Sequence, residues 1–185
     1  PRWIFAVPRR FLFAVAVLLL AACDPPPEPV GVAASEAETS SVNTPLPRAV
    51  AETVETLLKL AEEGGYRDMA KLADQTPGFR SNNAGMSHKD YWYLKLRAGD
   101  WPMAHMQKVL EQDHAVVEAA GGRVYIWPAL ALVPLDQITP ARAREIDALL
   151  GPGQADAVRA GTPWPGYVLG IAEDGTWLYF VSGAG

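Results

Sequence analysis

Between residues 49 and 63, apolar side chains return at Val50, Val54, Leu57, Leu58 and Ala61. That i, i+4, i+7, i+8, i+11 spacing keeps them on one helical face. It predicts a helix over about 49–63, stopped by Gly64-Gly65. A shorter helix is expected over about 66–74, with Met69, Leu72 and Ala73 inward, broken by Thr76-Pro77-Gly78. Residues 79–85 read as a short strand or loop. Ser87 opens a third helix that ends at Gly99. Ser87 and Asp90 form the spacing of a capping box, and Met86 and Tyr91 are placed as a hydrophobic staple. Asp100 is the expected cap of a fourth helix, with Trp101-Pro102 in its first turn and Met103, Met106, Val109 and Leu110 inward.

The pattern then changes period. Ala115-Val116-Val117 allows two readings: continuation of the fourth helix to Ala120, or a strand that turns through Gly121-Gly122 into Arg123-Val124-Tyr125-Ile126-Trp127. Val-rich runs on both sides of a Gly-Gly turn favour the hairpin. Pro128 ends its second strand or marks it as an edge. Thr139-Pro140 is a cap followed by a first-turn proline, and Ala143, Ile146, Leu149 and Leu150 follow at helical spacing up to Gly151-Pro152. Near the C-terminus, 167–172 and 177–182 flank Glu173-Asp174-Gly175-Thr176. Asp-Gly favours a two-residue turn. That register sets Ile171 opposite Leu178 and Leu169 opposite Phe180 on one face. The other face carries Ala172 opposite Trp177, Gly170 opposite Tyr179 and Val168 opposite Val181. Both faces are apolar, so both are expected to be covered. The fold class that follows is α+β: an N-terminal helical hairpin and further helices packed on a small antiparallel sheet, ending in a C-terminal β-hairpin.

Upstream of residue 48 the chain is of another kind. Arg9-Arg10 precede twelve uncharged apolar residues, 11–22, too few to span a bilayer core, which takes about 20. A short apolar run behind a positive segment is the pattern of an export signal. It ends Leu20-Ala21-Ala22-Cys23. These four residues resemble the bacterial lipobox. The resemblance implies cleavage between Ala22 and Cys23 and a diacylglyceryl thioether on Cys23, leaving a lipid-anchored protein of the cell envelope that faces the periplasm. Two or more acyl chains give stable anchoring where one gives marginal binding. The alternative is an ordinary secretory signal with a coincidental cysteine, or an uncleaved anchor. Asp24 resembles the inner-membrane retention residue of some enteric bacteria. Residues 24–47 hold six Pro, four acidic residues and no basic or aromatic one, a composition that cannot repay its ordering entropy. The chain therefore divides into a signal (1–22), a lipidated cysteine with a Pro-rich acidic leash (23–47) and one globular α+β domain (48–185).

Composition narrows the chemistry. The 185 residues carry 16 Lys plus Arg against 21 Asp plus Glu, a net charge of −5, which argues against a nucleic-acid partner. A single cysteine excludes an internal disulfide and any cysteine-based zinc site. No Gly-rich phosphate loop, nucleophile elbow or HExxH run is present, and no cofactor is implied. Met103, His105 and Met106 are a soft-ligand set that suits Cu(I), or two core thioethers beside an exposed imidazole. His105 and His114 are too far apart for zinc on one turn. His88 and Asp90 are either an acid–base pair beside Tyr91 or residues suited to a helix start. Aromatics are the remaining signal. Tyr91, Trp92, Tyr125, Trp127, Trp177 and Tyr179 are the candidate lining of a groove for a sugar, lipid or protein strand; the alternative is core packing.

The opening helix, EEGGYRDMAKLAD and the extended stretch after it resemble, over about 40 residues, the nuclear-transport-factor-2-like α+β cone domains, which implies a curved sheet around a pocket. The chain as a whole resembles envelope lipoproteins of Gram-negative bacteria. Two functions follow as expectations. One is a tethered, non-enzymatic module that binds an envelope protein or cell-wall partner. The other is a small-ligand or enzymatic domain with a cone-type pocket.

Overall fold

The structure, a computed structural model, describes residues 44–183. The signal, the Ala22–Cys23 junction and all but the end of the leash lie outside the described residues.

Four helices come first: α1 (Arg48–Glu62), α2 (Tyr66–Gln75), α3 (His88–Arg97) and α4 (Pro102–Leu110). They are followed by β1 (Ala115–Ala119) and β2 (Gly122–Trp127), then α5 (Pro140–Leu150) and α6 (Gln154–Arg159), then β3 (Tyr167–Ala172) and β4 (Trp177–Ser182). The strands form one antiparallel sheet in chain order. The fold is therefore α+β, closed by the β3–β4 hairpin. The hairpin favoured for 115–127 is present, because its valines and aromatics pair across strands: Val116 with Tyr125, Val117 with Val124.

Helices α1 and α4 pack on each other and on β3, and α2 packs on α3. Between helices and sheet lies the core, built from Leu57, Met69, Trp92 and Met106 on the helices and Tyr125, Trp127, Leu169, Ile171 and Phe180 on the strands. Capping follows the sequence at two helices. Ser87 accepts from the Asp90 backbone N–H at 3.1 Å, and Thr139 from that of Arg142 at 3.3 Å. At α4 it does not. Trp101 occupies the cap position, without a side-chain bond, and Asp100 is turned elsewhere.

Two expectations about the sheet are corrected. The first concerns register. Pairing runs as anticipated from Tyr167–Ser182 to Gly170–Tyr179, then a bulge sets Ile171 against Trp177 rather than Leu178. One extra residue on β4 moves Trp177 to the core face, where it packs on Phe79 at 4.2 Å between ring centroids. Leu178 is released to bind across the outer edge: its carbonyl accepts from Arg80 N–H, and the Arg80 carbonyl accepts from Phe180 N–H, each at 3.0 Å. The turn is also longer than two residues. Gly175 N–H donates to the Ala172 carbonyl and Ala172 N–H to the Thr176 carbonyl, both at 2.9 Å, so three residues close the loop, with Gly175 at φ +88°.

The second concerns coverage. Among the described residues, helices lie on one sheet face. On the other, Ala115, Ile126 and Gly170 are buried while Val117, Val124, Val168, Tyr179 and Val181 remain half-buried. Tyr179 lies across Gly170, and the Arg80 guanidinium sits 5.6 Å from the Tyr179 ring.

The β2–β3 connection carries its own small cluster. Ile138, Ile146, Ala155 and Val158 pack with Leu130, Val133, Leu150 and Trp164. Lys108 ties it to α4 by donating to the α5 carbonyls of Leu149 at 2.5 Å and Ala148 at 3.3 Å.

Candidate functional site

Gly99, at φ +82°, turns the chain between α3 and α4 and presents Asp100 to the start of β3. There the carboxylate gathers two donors and an imidazole. Tyr167 Oη–H donates to Oδ2 at 3.0 Å, Lys95 forms an ion pair with the same oxygen, and His105 Nε2 lies 3.2 Å from Oδ1. That last approach gives attraction without the alignment of a hydrogen bond. His105 stacks on Tyr167 at 4.8 Å, and Tyr167 on Phe180 at 4.7 Å, so the cluster stands on the core. Around it opens a cleft of about 490 Å³, walled by Val109, Leu149 and Leu150 and rimmed by Lys108, Gln154 and Ser182.

The electrostatics follow from partial burial. Burial pushes the His105 imidazole below its ordinary pKa, and the Asp100 charge offsets this only in part. Burial, reinforced by the Asp100 charge, pushes the Tyr167 phenol far up, so it stays a hydrogen donor. The lowered value keeps the His105 imidazole neutral at neutral pH, beside Lys95, Lys108 and Asp100. Each histidine is held by something other than a hydroxyl. His105 faces Asp100, His88 Nδ1 lies 2.6 Å from Asp74 Oδ1, and His114 is engaged by the Thr44 backbone. Ser182 stands opposite Tyr167 in the β3–β4 pairing, on the rim of the cleft. The arrangement is a set of fixed donors suited to holding a polar group.

The residues singled out from sequence fall elsewhere. Tyr91, Trp92, Tyr125, Trp127 and Trp177 are 8%, 1%, 1%, 2% and 2% exposed. Trp92 and Trp177 stack at 6.3 Å, and Phe79 and His88 close around them. These rings fill the interior. Tyr179 alone keeps partial access, on the far sheet face. His88 and Asp90 do not pair: Asp90 accepts from the Ser87 hydroxyl at 2.8 Å. Met103 and Met106 are buried at 3% and 0% while His105 turns to Asp100, so thioethers and imidazole point apart. Among the described residues no group of three His, Cys, Asp or Glu could hold a metal. Cys23 and Ala22 lie outside the described residues.

Sequence reasoning missed Lys95, Asp100, Lys108 and Tyr167 as a group. Asp100 before Trp-Pro reads as a cap, and nothing local ties it to a tyrosine 67 positions away. Comparison of the chain with protein-family models, with curated proteins and with solved structures gives no match.

Proposed function

We propose that this chain is a lipid-anchored protein of the bacterial cell envelope, held through Cys23 and carrying a non-enzymatic binding domain on a Pro-rich leash facing the periplasm. The observation that carries it is Leu20-Ala21-Ala22-Cys23 behind Arg9-Arg10 and twelve apolar residues. The lone cysteine stands at the one position where an acyl thioether would form. The acidic, proline-rich 24–47 stretch suits a spacer, and Asp24 leans the reading toward the inner membrane. The binding half is supported by the cleft, where Lys95 and Tyr167 are fixed on Asp100 and Lys108 on the α5 carbonyls. Among the described residues no helix is long and apolar enough to cross a membrane.

The test is mass spectrometry of the mature protein extracted from envelopes. A diacylglycerol thioether on Cys23 as first residue is expected. Bare Cys23, or a leader still attached, refutes the anchor. Cys23→Ala should give an unprocessed or soluble form. Crosslinking in the envelope then identifies the protein or cell-wall neighbour.

A second reading, a small-ligand pocket, is favoured by Lys95, His105 and Lys108 around one cleft. The charge of the two lysines and the neutral imidazole as a hydrogen donor suit an acidic ligand. Shifts of the His105 ring resonances on titration with small carboxylates would support it; unmoved resonances would exclude it.

A further inference from the structure

Among the described residues five large apolar side chains are exposed; Met86 and Leu135 stand apart, and the other three share one corner. Trp101 is 59% exposed, Leu94 46% and Tyr93 39%. These three fall within nine residues, at the corner where α3 meets α4. Tyr93, Leu94 and Arg97 follow one another along the outer side of α3, and Lys89 lies one turn before Tyr93. Tyr93 is fixed by stacking on Tyr66 at 5.6 Å. Trp101 is set at the first turn of α4. The corner thus offers a Trp, a Tyr and a Leu with exposed Lys89 and Arg97 beside them, and one exposed acid, Asp90. Within residues 88–101 the exposed charges are therefore two basic and one acidic, against the net −5 of the whole chain.

We propose that this corner is a membrane-docking face, whose occupant is the anionic lipid surface to which the chain is anchored. The inference rests on the lipid-anchor reading for its location, and on the corner's own chemistry for the contact. Trp and Tyr rings settle at the headgroup level, where one edge is apolar and the other wet, and Lys and Arg pair with anionic headgroups. The leash has the reach. The described chain begins at Thr44, which meets His114 just beyond the C-terminal end of α4. Trp101 caps the opposite end of the same helix, about 14 Å away along its axis. On the leash reading, a coil of 21 residues would reach roughly 25 Å, enough for anchor and corner to touch one bilayer together. Tethering makes the second contact intramolecular, and a weak interfacial patch then suffices to orient the domain.

The experiment uses the mature full chain on vesicles of phosphatidylethanolamine with phosphatidylglycerol containing brominated acyl chains, which quench nearby tryptophan. Trp101→Phe should at least halve the quenching. Leu94→Ser leaves every tryptophan in place and should have the same effect. Arg97→Glu should lower quenching on these vesicles and leave it unchanged on phosphatidylcholine. All three positions are exposed, so melting temperatures should not move. Quenching that is unaltered in both Trp101→Phe and Leu94→Ser overturns the proposal. So does loss of an envelope-protein crosslink in these variants with vesicle quenching intact, which would make the corner a protein interface. Mass spectrometry of Cys23 separates the two readings. A lipidated cysteine without corner-dependent quenching sinks the docking face alone. A bare cysteine with corner-dependent quenching sinks the anchor alone.

Discussion

Gly175 is where the β3–β4 turn sits on the first helix, and replacing it with alanine isolates that seat. Its φ of +88° is left-handed, which costs an L-residue about 1–2 kcal/mol. A Cβ built there would meet the Ala49 carbonyl oxygen at 2.8 Å, its carbon at 3.1 Å and its Cβ at 3.2 Å. Backbone cannot rotate aside as a side chain can, so hairpin and helix must part, an overpacking cost of about 1–3 kcal/mol. Loss of glycine's freedom in the unfolded chain returns roughly 0.4–1 kcal/mol. The net expectation for Gly175→Ala is a destabilisation of about 2–4 kcal/mol, a large share of the 5–15 kcal/mol typical of a domain. Gly64→Ala is the control. Its φ is +64° and its Cβ would meet open space, so it should cost only about 1 kcal/mol, the backbone part. Urea unfolding followed by tryptophan fluorescence measures both, because Trp177 follows the turn into the core. If the two substitutions cost the same within about 0.5 kcal/mol, the hairpin is not seated on α1 and the packing argument fails.

Three further outcomes are expected. Ser87→Ala should cost about 1 kcal/mol by leaving the Asp90 N–H without its cap, and Ser87→Gly a few tenths, both read as shifts in the urea midpoint. Tyr167→Phe should cost about 1.5–3 kcal/mol, the worth of a hydrogen bond to a charged group, through loss of its bond to Asp100; an unchanged midpoint would mean the phenol is not bonded there. Burial lowers the pKa of His114, so below the unfolded value of about 6.5 the unfolded chain binds a proton that the native state refuses. Its stability contribution is therefore complete above pH 6.5 and lost as pH falls through the native value, with a slope of at most about 1.4 kcal/mol per pH unit. His105 shifts the same way but is half-exposed and adds less. A melting temperature that is flat from pH 7 to pH 5 would contradict this.

The elements with local signals were legible. Thr139-Pro140 announced α5 and Ser87 announced α3, because caps act within four residues of themselves. Asp174-Gly175 located the last turn, since only certain pairs tolerate its backbone. The bulge beyond it was not legible. Trp177 reaches the core face only because Phe79 and Trp92, distant in sequence, leave a place for it there. Helix α6 is six residues long and opens on Gly153 at φ +79°, too short to show a period. The Asp100 cluster was invisible for a related reason: charge pairs across α3, α4 and β3 leave no spacing in the chain. The fate of the aromatics needed the layering, since a strand shows which residues share a face but not which face is buried.

Arg80 and Asn82 have a consequence for assembly. Arg80 takes up the Leu178 carbonyl and Phe180 amide, and Asn82 accepts from the Ser182 amide at 2.7 Å. One border of the sheet is thereby sealed by the chain's own loop, against the pairing that open borders invite. Among the described residues, the border left for an added strand, whether from a guest peptide or from a sister molecule, is β1, Ala115–Ala119.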